Sequence, residues 1–353
     1  QRPLTAAICE YCDWQYLLTQ DEELPICPHC YREQLVALAE ADAEVDRAPE
    51  LVLPFSVATS SLENSLANFS SSFRFSPRDL QGKILVRRMR PVFIPAWLVD
   101  SDVLAAWQAE AGYDYQVVSH QESYVADSWQ TREVKETKIR WEARAGRLQR
   151  HYSNVRAPAL EEIDEIRASL GTFASEDAQA YQPQMLEDGL VRLPNRDRQD
   201  AWPDTHPVFK KRAAEECRLA SRADHIRQFK WQAQYANQHW SLLLLPVYST
   251  WYYDDDGQPL PVLLNGRTGQ LAGIMRASMK QAKRATTMIA VLAVLFFLLT
   301  LVLLLLGSSL VLPVAVLAFA AGIAAIWPIA YVSRFNRERA ADNLVVNSGA
   351  GKI

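Results

Sequence analysis

Polar and apolar positions change rhythm several times along this chain. Leu62, Leu66 and Phe69 recur at helical spacing, with Ser61 placed as an N-cap and Asn64 in the first turn. From Met89 to Asp100 an apolar run is interrupted by Pro91 and Pro95, which reads as a buried turn entering a strand. Residues 113–157 alternate, as in Tyr115-x-Val117 and Val134-x-Glu136, and predict an antiparallel meander with one polar face, broken at Gly146. Residues 158–240 read as mostly helical. Ile163, Ile166 and Leu170 share a face, and a long polar helix is expected from Phe209 to Trp240. A buried strand is expected over 242–253, a solvated turn at Asp254-Asp255-Asp256-Gly257, and a returning strand at 261–264. Asn265-Gly266 then signals a hairpin turn into a third strand at 268–273.

The pattern then stops alternating. Residues 286–306 and 310–333 are two apolar runs, with only Gly307-Ser308-Ser309 between them. Each is long enough to cross about 30 Å of hydrocarbon at ~1.5 Å per residue. No charged residue or histidine occurs from Thr286 to Ser333, which argues against an ion pathway made of these helices alone. Gly322 with Ala318, Ala320, Ala321, Ala324 and Ala325 makes a small-residue face suited to helix packing. Arg276, Lys280, Lys283 and Arg284 precede the hairpin and Arg334, Arg337 and Arg339 follow it. Basic flanks at both ends place both termini in the cytoplasm of a multi-pass protein of the cytoplasmic (inner) membrane. The same residues are expected at the lipid headgroups. No apolar core follows the first basic residue, so residues 1–30 do not read as a secretory signal.

Charge sharpens this division. The 353 residues carry a formal net charge of −4, but residues 1–50 hold 3 Lys/Arg against 11 Asp/Glu, and residues 251–353 hold 9 against 5. The N-terminal end is acidic and the membrane-proximal end basic. Arg140, Arg144, Arg147 and Arg150 form a local basic cluster, read as a solvated sheet face, with an anionic partner as the sharper alternative.

Four of the five cysteines fall as Cys9-x2-Cys12 and Cys27-x2-Cys30. Two such turns on facing hairpins place four thiolates around one tetrahedral, structural Zn²⁺, and Pro25 and Pro28 suit a rigid second turn. Two disulfides or a redox pair fit this doubled spacing less well. A module this small cannot fold on its own apolar core, so the metal is expected to supply much of its stability. His29 is read as an exposed turn residue because four cysteines fill the shell. Cys217 is read as a packing residue on a helix. Nucleic acid is disfavoured as the ribbon's partner: only Arg2 and Arg32 lie between residues 1 and 40, and Asp13, Asp21, Glu22 and Glu23 crowd the site. A protein partner fits that charge better.

There is no G-x4-G-K-[ST], HExxH or GxSxG motif. Gly349-Ala350-Gly351-Lys352 lacks the phosphate-loop spacing, and the six histidines are scattered. No catalytic residue is assigned, and the chain is expected not to be an enzyme.

Four landmarks carry a resemblance. They are the four-cysteine ribbon, Leu53-Pro54-Phe55, Pro91-Val92-Phe93-Ile94-Pro95-Ala96-Trp97, and Leu245-Pro246-Val247-Tyr248 leading to Asn265-Gly266-Arg267-Thr268-Gly269. Together they resemble bacterial and archaeal membrane proteins with an N-terminal TFIIB-type zinc ribbon and a C-terminal transmembrane hairpin, often labelled primosomal protein N′ or helicase-like. The helicase label does not carry over, because an ATP-driven helicase needs a phosphate loop. The resemblance implies a role in membrane organisation or stress. Met275-Arg276-Ala277-Ser278-Met279-Lys280 departs from the family's pattern by lacking a proline.

The expected architecture is α+β. A zinc ribbon (1–35) precedes an acidic linker (36–50, a short helix or tether) and a cytoplasmic body (51–275) with an antiparallel sheet and helices. A basic juxtamembrane helix (276–285), the transmembrane hairpin (286–333) and a cytoplasmic tail (334–353) follow. The expected function is a membrane-anchored adaptor or scaffold docking protein partners. The alternatives are a membrane-tethered nucleic-acid binder, or an accessory subunit of a larger membrane enzyme or transport complex. A homo-oligomer is compatible with each.

Overall fold

A computed structural model describes residues 4–19, 24–38, 49–125, 128–186 and 189–347 of the chain. The fold is mixed α+β. It divides into two compact units: Gln1–Pro95, Leu160–Asn195 and Leu243–Ile353 form the first, and Ala96–Ala159 with Arg196–Leu242 the second. The sequence had read a single body over 51–275.

In the first unit, β1 (Leu4–Ile8) pairs antiparallel with β2 (Gln15–Thr19) and with β3 (Val36–Ala37). The first residues of the stretch read as an acidic helix or tether are therefore strand, and 39–48 lie outside the described residues. β4 (Leu51–Val52) runs parallel to the C-terminal half of a long strand, β9 (His225–Tyr253), with Leu51 opposite Leu243. α1 (Thr59–Ser71) buries Leu62, Leu66 and Phe69 as the spacing predicts. Its N-cap is Ala58, with no side-chain cap, so Ser61 lies inside the first turn and is not the cap. α2 (Gly82–Arg88) follows. β5 (Arg90–Val125) contains Pro91 and Pro95 within the strand, where a turn was expected. Neither proline occupies a paired position with its neighbours β6 (Ser128–Pro158) or β8 (Leu190–Arg192), so no bond of those ladders is lost. α3 (Ile163–Leu170) buries Ile163 and Leu170, and β7 (Gln179–Ala180) pairs with β4. β10 (Pro259–Asn265) and β11 (Leu271–Gly273) complete the expected hairpins against β9.

The second unit is built on one long hairpin. β5 and β6 pair without a break from Ala96↔Pro158 to Val125↔Ser128, with one bulge between Val99 and Ser101. The predicted meander is thus a single ribbon. Gly146 does not break it, since it faces Trp107, whose ring would lie 2.8 Å from an added Cβ. α4 (Arg198–Ala220) buries Ala201, Thr205, Phe209, Ala213 and Cys217, one residue every four, and packs on β6. The predicted helix over 209–240 stops at Ala220. Arg222 takes φ +49, and from His225 the chain is strand β9. Arg140 and Arg144 share Glu142, and Arg150 pairs with Glu216, so two carboxylates offset half of the charge of the four arginines.

Helices α5 (Met279–Leu305), α6 (Val311–Ala324) and α7 (Trp327–Asn347) end the first unit. Two stretches, Met279–Leu305 and Val311–Arg339, are long and apolar enough to cross a membrane, and α5 packs along α6. Gly307 turns the chain between them at φ +63, a conformation that favours glycine. Past Pro328, residues Ile329, Tyr331, Val332 and Phe335 of α7 join the core that α1 forms with Tyr252, Leu260, Val262 and Leu264.

Candidate metal centre

Two turns of the same local design build the centre. In the first, between β1 and β2, Cys9 N donates to Trp14 O at 3.0 Å and Asp13 N donates to Cys9 O at 2.8 Å. In the second, Cys27 N donates to Glu33 O at 2.8 Å and Tyr31 N donates to Cys27 O at 3.0 Å. The fourth residue after each leading cysteine is left-handed, Asp13 at φ 57 and Tyr31 at φ 56. Each left-handed residue directly follows the second cysteine and ends the turn there.

The sulfurs converge. Cys9 Sγ lies 3.6 Å from Cys30 Sγ, Cys12 Sγ lies 3.7 Å from Cys27 Sγ, and all four ligand atoms fall within 4.8 Å of one another. Neither pair is at the ~2.05 Å of a disulfide. A tetrahedral ion with metal–sulfur bonds of about 2.3 Å would separate its sulfurs by about 3.8 Å, so the donor set fits such an ion. Hydrogen bonding with Cys27 and Cys30, then burial, holds the Cys12 thiol far above its usual range, while hydrogen bonding with Cys12 and Cys27 holds Cys30 far below. The cluster by itself cannot carry four thiolates. A divalent cation bound by all four would remove that limit.

The surroundings are more elaborate than spacing alone indicates. Trp14 stacks on His29 with centroids 4.0 Å apart and planes 8° apart. His29 is therefore part of the packed wall and not an exposed turn residue. Burial, then the nearby Arg192 charge, lowers its pKa to about 4. Tyr16 places its hydroxyl 3.8 Å from Cys27 Sγ. Arg192, on β8, lies against the Trp14 ring and pairs with Glu162 in a buried position. Burial lowers Arg192 to about 10 and raises Glu162. The pair lines a cavity of about 130 Å³ together with Tyr16, His29 and Ser249. None of Trp14, Tyr16, Glu162, Arg192 or Ser249 stands out in the sequence. The one local hint is a lone arginine in the apolar Leu190-Val191-Arg192-Leu193 run.

The ribbon is not a separate bead. β2 pairs with β8 through Tyr16↔Arg192 and Leu17↔Val191, and β8 runs parallel to β5. Tyr16, Leu18, Cys9, Cys27 and Leu35 share one core cluster with Val92 and Leu190. The second turn is also fastened to β9: Tyr31 Oη and Ser249 Oγ are 2.8 Å apart, and Ser249 Oγ donates to Pro28 O at 3.0 Å. Besides the metal expected from its small size, the ribbon thus has the sheet and core of the first unit to hold it. The face left open carries Glu10, Asp13 and the half-exposed Tyr11, whose ring lies 4.8 Å from the Arg32 guanidinium carbon.

The seven basic residues assigned to the membrane surface divide into two groups. Arg276 Nη1 bonds Asp254 Oδ2 at 2.7 Å, and Lys280 Nζ bonds Asp255 O, so both are drawn into the Asp254–Asp256 turn. That turn is not simply solvated. Asp254 is buried, and its Oδ1 accepts from Asp256 N and Gln258 N, each at 2.8 Å. Lys283, Arg284, Arg334, Arg337 and Arg339 are exposed, with Arg334 paired to Glu338 and Arg339 near the Phe335 ring.

No protein-family model matches this chain, and neither the curated proteins nor the solved structures include a match. What the chain shows of the resemblance drawn from its sequence is a clustered four-cysteine site together with two helices long enough to span a membrane.

Proposed function

We propose that the protein is a non-enzymatic, membrane-anchored zinc adaptor, held in the cytoplasmic membrane by the 286–333 hairpin, formed by α5 and by α6 with the start of α7, with both flanks cytoplasmic. Zn²⁺ is the ion that four thiolates in tetrahedral disposition favour among abundant divalent metals. One observation carries the reading: the four-cysteine centre and both apolar helices belong to the same compact unit, so whatever binds the ribbon is held at the bilayer. The open, acidic face around Tyr11 is the docking surface, and its charge favours a protein partner over a polyphosphate. The resemblance to ribbon-bearing membrane proteins supports a role in membrane organisation or stress.

The test is a photocrosslinking residue at Tyr11 in the full chain in native membranes, with Arg132 as control position. One discrete protein adduct at position 11, absent at 132 and lost in Cys9→Ser/Cys27→Ser, is expected. Crosslinks to nucleic acid alone, or an identical adduct without the cysteines, would refute docking through the ribbon.

A further inference from the structure

The loop between α1 and α2 is tied to both membrane helices at once. Phe75 O accepts from Ser278 N at 2.6 Å, and Ser76 O accepts from Gln281 Nε2 at 2.5 Å, so the loop rests on the first turn of α5. The Phe75 ring lies 6.0 Å from Trp327 and 6.1 Å from Tyr331 on α7. Phe75 holds φ +57, an uncommon conformation for a bulky residue, and this turn leaves the neighbouring Arg74 exposed. The Arg74 guanidinium carbon sits 5.4 Å from the centre of the Trp327 ring, within cation–π range.

The height of this feature follows from the hairpin. Thr286 Oγ1 donates to Ala325 O at 2.9 Å, so positions 286 and 325 stand level with each other, and no charge lies between them in sequence. Lys283 and Arg284 lie two or three residues below Thr286, or about 3–4.5 Å along the helix, and Trp327 lies two residues below Ala325. The headgroup layer adds roughly 5–7 Å outside each face of the hydrocarbon, so these residues occupy its depth. Arg284 follows Gln281 by three positions and shares its helix face, the one on which the Arg74–Ser76 loop rests. Arg74, Lys283 and Arg284 are exposed, and among the described residues no carboxylate pairs with them. Arg276, Lys280 and Arg334, by contrast, are held by acidic residues or by the Asp turn.

We propose that Arg74 and Arg284, with Trp327 backing the Arg74 guanidinium, bind the phosphate of an anionic phospholipid headgroup at the base of the hairpin. Two uncompensated planar guanidiniums suit phosphate oxygens, and Lys283 adds to the same field. The site is continuous with the membrane helices and rests on the spanning reading above. Bound lipid sets the depth at which the first unit meets the bilayer.

The experiment is native mass spectrometry of the full chain extracted from vesicles of phosphatidylcholine with 30% phosphatidylglycerol. The wild type is expected to retain phosphatidylglycerol in preference to phosphatidylcholine, and Arg74→Gln/Arg284→Gln to lower that retention by about fivefold per residue. Arg132→Gln, on the β5–β6 hairpin of the second unit, is expected to change nothing. Equal retention of both lipids by the wild type, equal retention by the double variant, or displacement of the lipid by 10 mM inorganic phosphate would each overturn the site. If the double variant fails to fold, Arg284→Gln alone keeps Arg74 and its ring contacts, and must still lower retention. Extraction of the wild type by alkaline carbonate would instead refute the spanning reading itself.

Discussion

Asn336 closes both backbone groups of Ala277: Ala277 N donates to Asn336 Oδ1 at 2.8 Å, and Asn336 Nδ2 donates to Ala277 O at 3.0 Å. One side chain beyond the hairpin thus satisfies the backbone just before it. Asn336→Ala leaves two largely buried groups unpaired and is expected to cost about 1–3 kcal/mol. Asn336→Asp keeps the acceptor alone and should fall between. Thermal unfolding of the full chain in detergent measures both.

Metal removal should act locally. Cys27→Ser, or a strong chelator, is expected to abolish the bound metal and speed amide exchange over 24–35. Protection in β9 and β10 should persist, because the sheet pairs through β2–β8 and β10–β9 independently of the ion. Hydrogen exchange with mass spectrometry separates this from global unfolding, which would show that the ion holds the whole unit.

The Arg192–Glu162 pair is buried and costly to break. Arg192→Met alone leaves an uncompensated carboxylate and should destabilise the chain by about 3–5 kcal/mol, whereas Arg192→Met/Glu162→Leu should be close to neutral. Denaturant melts of the two variants decide it. A double variant as unstable as the single one would show that Arg192 acts through Trp14 and not through its charge.

Asp102 titrates below the usual carboxylate range, because Asn237 and then His151 hydrogen-bond its ionised form. A lowered carboxylate contributes stability above its unfolded value of about 3.9, and that contribution is lost as pH falls through the folded value. NMR titration of the carboxyl carbon should place the midpoint lower in the wild type than in Asn237→Ala.

Much of this was legible in the sequence where one physical rule dominated. Four thiolates at doubled CxxC spacing have few alternatives, and 48 uncharged residues have fewer. The reading failed where two rules competed. Residues 225–240 carry four Gln with Ala233, Ala236, Arg227 and Lys230, all compatible with a helix, yet Phe229, Trp231, Ala233 and Tyr235 alternate and form a strand. The left-handed Gln228 breaks the alternation and hid the period. Pro91 and Pro95 misled in the opposite direction, because only the pairing of neighbouring strands shows that both fall outside the β6 and β8 ladders. The Arg192–Glu162 pair and the Ser249 clasp join residues far apart in sequence, and no local pattern announces them.

The order in which the ribosome delivers these parts gives the α7 packing a further meaning. The α1 core is finished by Val332 and Phe335, which are translated after both apolar helices. Nascent chain up to α5 therefore lacks residues that complete this core, and on the spanning reading proposed above they return to it only once the hairpin has been inserted. Failure to insert would leave that core open and its apolar lining exposed to proteases. On that reading, membrane insertion and the completion of this core are a single event.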